Sequence, residues 1–175
     1  MKPILDEMNM MVDSLVEIEV KSYIDLLTER LSSQPRDIIG LAAGRMGYSL
    51  RAFIMRLNHL GFNASMIGDT NVPRVRQNSI LFINSSSGET PSILLFAEQA
   101  KKEQGEIFLT TCNKDSSIGK HANSIIQIPT IESVQLMKSP YEQFSMLLYD
   151  YIIFRLVETL GLDEEKVSSN HSILE

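Results

Sequence analysis

Residues 79–111 read SILFINSSSGETPSILLFAEQAKKEQGEIFLTT, and the order of residue types in this stretch decides the fold. Residues 79–84 are a short run of bulky apolar side chains, the pattern of a strand buried on both faces. Residues 85–90 are small, polar and glycine-containing. Pro91 then stands where proline is favoured, at the first position of a helix, and the helical pattern runs to residue 104. Residues 106–111 read as a second buried strand. Strand, turn, helix and strand in succession make a parallel unit with a right-handed crossover.

The same grammar extends in both directions. Upstream, residues 37–43 carry Ile38, Ile39, Gly40 and Leu41, followed by the turn Gly44-Arg45-Met46-Gly47 and a helix over 48–60. Gly61 is a favoured residue just past a helix end, residues 63–67 form the next strand, and 68–73 are a polar loop. Downstream, 117–122 are a short helix or turn, 124–128 a short strand, and 141–160 a long apolar helix closed by Gly161. Between residues 4 and 31, Leu15, Ile18, Tyr23, Leu26, Leu27 and Leu31 recur at helical spacing, which predicts one long helix or two. Pro35 ends that region. The fold class is α/β, with a parallel sheet covered on both faces. The chain reads as one domain, with a helical extension over 1–34 and the α/β core over 35–175; no repeat or low-complexity segment divides it.

Bulk properties narrow the function. A chain of 175 residues with 43% hydrophobic and 22% charged residues folds as an ordinary globular domain. Sixteen basic against twenty-two acidic residues give a formal charge of −6, which argues against binding nucleic acid through its phosphates. Any anion site is therefore local. The single cysteine, Cys112, excludes an internal disulfide and points to the cytoplasm. The first twenty residues lack the basic-then-apolar order of a signal peptide, and no stretch reaches the length of a membrane span. The methionines read as flexible core or interface filler.

Two loops carry the chemistry. In a parallel sheet, ligands bind beyond the carboxyl ends of the strands, where helix N-termini expose N–H groups. The run Ser85-Ser86-Ser87-Gly88-Glu89-Thr90 puts four hydroxyls in six residues ahead of a helix. An isolated Ser-x-x-Glu pattern is as a rule only a helix cap; here the preceding buried strand and the second glycine turn at 44–47 favour a phosphate site. Arg45 in that second turn is either a surface arginine or a fixed cation facing the same sheet edge. Gly44 and Gly47 resemble a dinucleotide fingerprint, but Ala42 stands at its first glycine and no acidic ribose ligand follows about 20 residues on, so no nicotinamide cofactor is expected.

The turn Ala42-Ala43-Gly44-Arg45-Met46 and the loop from Ser85 to Thr90 resemble, in order and spacing, the sugar isomerase (SIS) domain family. The segment Met55-Arg56-Leu57-Asn58-His59-Leu60-Gly61-Phe62, Gly68-Asp69-Thr70 with Pro73, the Tyr141-Glu142 step, Gly161-Leu162-Asp163-Glu164 and the tail at Asn170-His171 are similar to its 6-phospho-3-hexuloisomerase branch. The resemblance covers residues 35–175. It implies a flavodoxin-like, three-layer α-β-α sandwich on a five-stranded parallel sheet, a homo-oligomer (tetramer or dimer), and a metal-free, cofactor-free isomerase acting on a phosphorylated sugar. The reaction it implies interconverts 3-hexulose 6-phosphate and fructose 6-phosphate through a cis-enediolate.

Carried over residue by residue, the resemblance implies phosphate binding by Ser85, Ser86, Ser87 and Thr90 and a catalytic base at Glu142. On spacing alone, Glu142 is more simply a favourable charge at a helix N-terminus. Arg45 is expected to stabilise the enediolate oxygen or to bind sugar hydroxyls, and His171 to shuttle protons between oxygens of a neighbouring subunit's substrate or to be a solvated tail residue. His59 is either a packed or surface histidine or a second-rank catalytic candidate. Gly44, Asp69 and Thr70 are candidate sugar contacts, with turn chemistry as the alternative for the last two. Two positions depart from the family: Met46 replaces the serine that commonly follows the glycine-arginine pair, and Lys138-Ser139 replaces a Gly-Thr pair. They keep open a different phosphosugar, arabinose 5-phosphate or a heptose phosphate, and a non-enzymatic sugar-phosphate regulator.

Overall fold

The computed structural model of the chain describes residues 1–163, 167, 168 and 170. The N-terminal extension is two helices, α1 (Lys2–Asp13) and α2 (Glu17–Ser33). Strands β1 (Asp37–Ala42), β2 (Asn63–Met66), β3 (Ile80–Asn84), β4 (Glu106–Thr111) and β5 (Ser124–Gln127) follow. Between them stand α3 (Met46–His59), α4 (Pro91–Lys102) and a single 3₁₀ turn (Gly119–His121); α5 (Ser139–Leu160) closes the order. The strands are all parallel, in the order β2-β1-β3-β4-β5. This is the flavodoxin-like sheet that the family resemblance implied.

Alternation along the strands builds two cores. Ile38, Ile80, Phe82, Phe108 and Ile126 face α2, α3 and α5, whereas Ile39, Leu81, Ile83, Ile107 and Leu109 face α4. On the first face an aromatic chain knits helices to sheet. Phe53 stacks on Tyr149 with ring centroids 4.7 Å apart and meets Phe82 edge-on at 5.0 Å, and Tyr23 meets Phe108 edge-on at 5.1 Å. The stripe drawn through Ile18 is displaced: α2 buries Val20, Tyr23, Ile24, Leu27 and Leu31, while Ile18 is 67% exposed. It borders an open groove of about 820 Å³ between the N-terminal helices and α5, which Leu147 and Tyr151 also line. No helix among the described residues is long and apolar enough to cross a membrane.

The amino ends of the strands are held by charge. Glu106, at the start of β4, accepts from Arg30 Nε at 2.7 Å and from Arg36 Nη1 at 2.9 Å, and the Arg36 side chain is only 7% exposed. Removing one member of such a buried set leaves the other charges uncompensated. Glu106→Gln is therefore expected to cost about 3 kcal/mol in chemical denaturation, with unchanged specific activity below the transition because the site lies at the opposite sheet edge.

Candidate active site

The register sets Ala42 of β1 beside Asn84 of β3, so the turn after β1 and the loop after β3 emerge side by side. From this point the chain runs outward to β2 on one flank and to β4 on the other. Such a switch point leaves a crevice at the carboxyl edge of the sheet.

In the first turn, Gly44 adopts φ +60°, and nothing lies within 4 Å of where a β-carbon would stand, so its backbone is open to close approach. Gly47 N donates to Gly44 O at 3.0 Å, and Arg45 occupies the N-cap position of α3. The serine loop continues the sheet ladder, with Ser85 N donating to Thr110 O at 3.0 Å. It then folds on itself: Gly88 N donates to Ser85 O and Oγ, and Glu89 N to Ser87 Oγ at 3.2 Å. Glu89 reaches across to Ser117 N at 2.8 Å, and that bond holds its carboxyl below the usual range. Ser85 and Ser86 are buried, Ser86 Oγ lying 3.6 Å from Cys112 Sγ, whereas Ser87 is exposed and Thr90 half-buried. Thr90 is the N-cap of α4 but makes no side-chain capping bond, which leaves its hydroxyl and the first N–H groups of α4 for an anion.

Glu142 enters from α5, in its first turn. Its Oε2 is 3.0 Å from Arg45 Nε; the guanidinium is 68% exposed and the carboxylate 16%. Oε2 is buried and has no aligned hydrogen bond, so the contact is one of charge with charge. The fold thus brings the serine loop, Gly44, Arg45 and Glu142 to one crevice.

Asp69 and Thr70 follow β2, whose end pairs with β1 at the same carboxyl edge of the sheet. Asp69 spends Oδ1 on Arg51 Nη1 at 3.0 Å and Oδ2 on Met66 N at 3.1 Å, closing the turn after β2. The guanidinium, with the backbone bond, holds its carboxyl below the usual range. Turn chemistry accounts for Asp69, and Thr70 beside it is exposed. His59 is not brought to the crevice: α3 starts at the carboxyl edge and runs antiparallel to the strands, so its last residue, His59, lies about 20 Å away at the far edge. There His59 is buried, and its carbonyl accepts from Asn170 Nδ2 at 2.9 Å. His171 lies outside the described residues. Cys112 is half-buried beneath the serine loop, and burial raises its thiol above the ordinary value. Among the described residues, no group of three or more His, Cys, Asp or Glu side chains stands close enough to share a metal ion.

The sequence reading missed Glu7 and Asn84. Glu7, buried in α1, accepts from Ser133 Oγ, Val134 N and Gln135 Nε2 at 2.7–3.0 Å and ties down the segment that leads into α5. Asn84 reads in sequence as the end of a strand, yet its side chain meets both α3 and α5.

The chain is similar to known proteins over most of its length. The family profile of the SIS domain matches residues 33–149. The chain is 37% identical over 160 residues to the 3-hexulose-6-phosphate isomerase of Bacillus subtilis, with 86% of each chain covered. It is 30% identical over 154 residues to the protein of the same name from Methanocaldococcus jannaschii, covering 87% of this chain and 84% of the other. It superposes with a TM-score of 0.86, at 27% identity and over 99% of this chain and 98% of the other, on a Methanococcus jannaschii protein whose crystal structure inferred a molecular function of 3-hexulose-6-phosphate isomerase.

Proposed function

The chain belongs to the SIS domain family, and on that premise we propose that it is a sugar-phosphate isomerase interconverting 3-hexulose 6-phosphate and fructose 6-phosphate. The observation that carries the proposal is the meeting of a phosphate-sized hydroxyl loop with the Arg45–Glu142 pair at the β1/β3 switch point.

The phosphate docks on the hydroxyls of the serine loop and Thr90 and on the N-terminus of α4, where neutral donors and the helix dipole hold a dianion without lysine. Glu142 takes the proton from C3 of fructose 6-phosphate. The electron pair moves into the C2 carbonyl, and the enediolate carries its charge on oxygen beside Arg45. The hydroxyl proton passes between the two oxygens, and Glu142 returns its proton to C2, leaving the carbonyl at C3. Gly44 allows the sugar to lie against backbone.

We read the apolar groove at α5, with Tyr151 and Phe154 exposed beside it, as the contact of a homo-oligomer. The cytoplasm is the proposed compartment. Met46, in place of a hydroxyl beside Arg45, supports the second reading, an isomerase for another phosphosugar.

One experiment separates the readings: incubation of the protein with fructose 6-phosphate in deuterated water, followed by NMR. Deuterium entering at C3 is the expected result. Label at C1 instead indicates an aldose–ketose isomerase, and binding without exchange indicates a regulator.

A further inference from the structure

Directly behind the crevice lies a closed set of buried polar groups. Asn84 is wholly buried and immediately precedes Ser85. Its Oδ1 accepts from Tyr141 Oη at 2.6 Å, and its Nδ2 donates to Ser49 Oγ at 3.1 Å, with Met46 O at 3.3 Å and Ser145 Oγ at 3.4 Å. Tyr141 Oη also points at Thr110 O, 2.9 Å away, on the next strand. Ser49 and Ser145 are 2.9 Å apart, and Ser145 Oγ donates to the carbonyl of Glu142 at 2.9 Å.

Three members adjoin a residue of the site. Asn84 adjoins Ser85 of the loop, Tyr141 adjoins Glu142, and Met46 adjoins Arg45. Resting on the isomerase reading, we propose that Asn84 and Tyr141 are positioning residues, joined in a polar hub that fixes Glu142 at a set distance from the serine loop. Stability does not call for such a hub, since an apolar set of the same shape is commonly as stable as a buried polar one. What hydrogen bonds add is direction: they define separation and angle where apolar contact does not. A base must stand about 3 Å from the carbon it deprotonates, and a displacement of about 1 Å costs up to about 10²-fold in rate. Burial raises the Tyr141 phenol well above its ordinary value, so its hydroxyl stays a donor across the working pH range.

The test is Tyr141→Phe, assayed by exchange and turnover of fructose 6-phosphate. The expected result is a kcat about tenfold lower, with KM and competitive inhibition by inorganic phosphate within about twofold of wild type, because the loop that holds the phosphate is intact. Tyr23→Phe is the control, an equally buried tyrosine whose hydroxyl lies against the Thr110 side chain and reaches neither Asn84 nor the Ser49–Ser145 pair; it keeps full kcat. Ser145→Ala, a smaller change that removes the bond to Glu142 O, lowers kcat a fewfold at constant KM and serves where Tyr141→Phe does not fold. Unchanged kcat in the hub variants, an equal loss in Tyr23→Phe, or loss of phosphate inhibition in step with kcat would overturn the hub. Glu142→Gln separates the premise from the inference: if it keeps exchange, the base assignment falls and the hub with it. If it is inactive while Tyr141→Phe is fully active, only the hub falls. A wild type without exchange overturns both.

Discussion

Glu142→Gln is expected to lower kcat for fructose 6-phosphate isomerisation by about 10²–10⁴-fold, the usual share of a positioned general base. The amide has the size and shape of the carboxylate but does not accept the carbon-bound proton at neutral pH. Isomerisation and deuterium exchange at C3 should therefore disappear together, since both run through the same proton removal. Phosphate binding should not. On the proposed assignment inorganic phosphate meets the serine loop and the α4 terminus rather than Glu142, so its inhibition constant should stay within about twofold, under half a kcal/mol. Stability should also hold. The lost partner is an arginine 68% exposed, and exposed ion pairs contribute about 0–1 kcal/mol. The checks are proton NMR for exchange, phosphate inhibition of the residual rate, and a melting curve. Retained exchange in a folded Glu142→Gln would move the base to another residue.

Much of the fold was legible because parallel strands buried on both faces leave unbroken apolar runs, as at Ile80–Asn84, bracketed by glycine and proline. Pro91 and Gly161 mark helix ends in the structure where their chemistry requires them. The break between α1 and α2 carries neither residue; Leu15 and Val16 continue the apolar spacing, so pattern alone left one helix or two open. In the site, the serine loop and Arg45 were legible since each directly follows a strand, whose carboxyl end is fixed by chain direction. Glu142 was not legible from pattern, because a glutamate in the first turn of a helix serves the helix dipole equally well; the family resemblance singled it out. His59 illustrates the reverse. The resemblance named it, but the direction of α3 carries it to the far edge, a consequence of helix length and polarity that counting residues from Arg45 would have revealed. The Asn84–Tyr141 bond and the anchoring of residues 133–135 by Glu7 join segments distant in sequence. No local periodicity announces them.

Gly88→Ala is the second large effect expected, and it tests the loop rather than the base. Gly88 has φ +67°, a conformation that costs a side-chain-bearing residue about 1–2 kcal/mol. A β-carbon there would also run into both Cβ and Oγ of Ser116. Ser116 has little room to withdraw. It is fully buried, its N donates to Asn113 O at 3.3 Å, and its Oγ accepts from Gly119 N at 3.2 Å. Overpacking of this kind adds about 1–3 kcal/mol. The loop avoids the clash only by moving, and it is pinned on both sides, by Ile118 N donating to Gly88 O at 3.1 Å and by Glu89 on Ser117. Moving it displaces Ser87 and Thr90 from the proposed anion position. About 3 kcal/mol lost from phosphate binding corresponds to roughly a 100-fold rise in KM and in the phosphate inhibition constant, with a smaller fall in kcat at saturation because Glu142 and Arg45 stand on other elements. Adding Ser116→Gly should return part of the affinity, since it relieves the clash but not the backbone strain. An unchanged KM in Gly88→Ala would remove the phosphate from this loop and place it elsewhere on the carboxyl edge of the sheet.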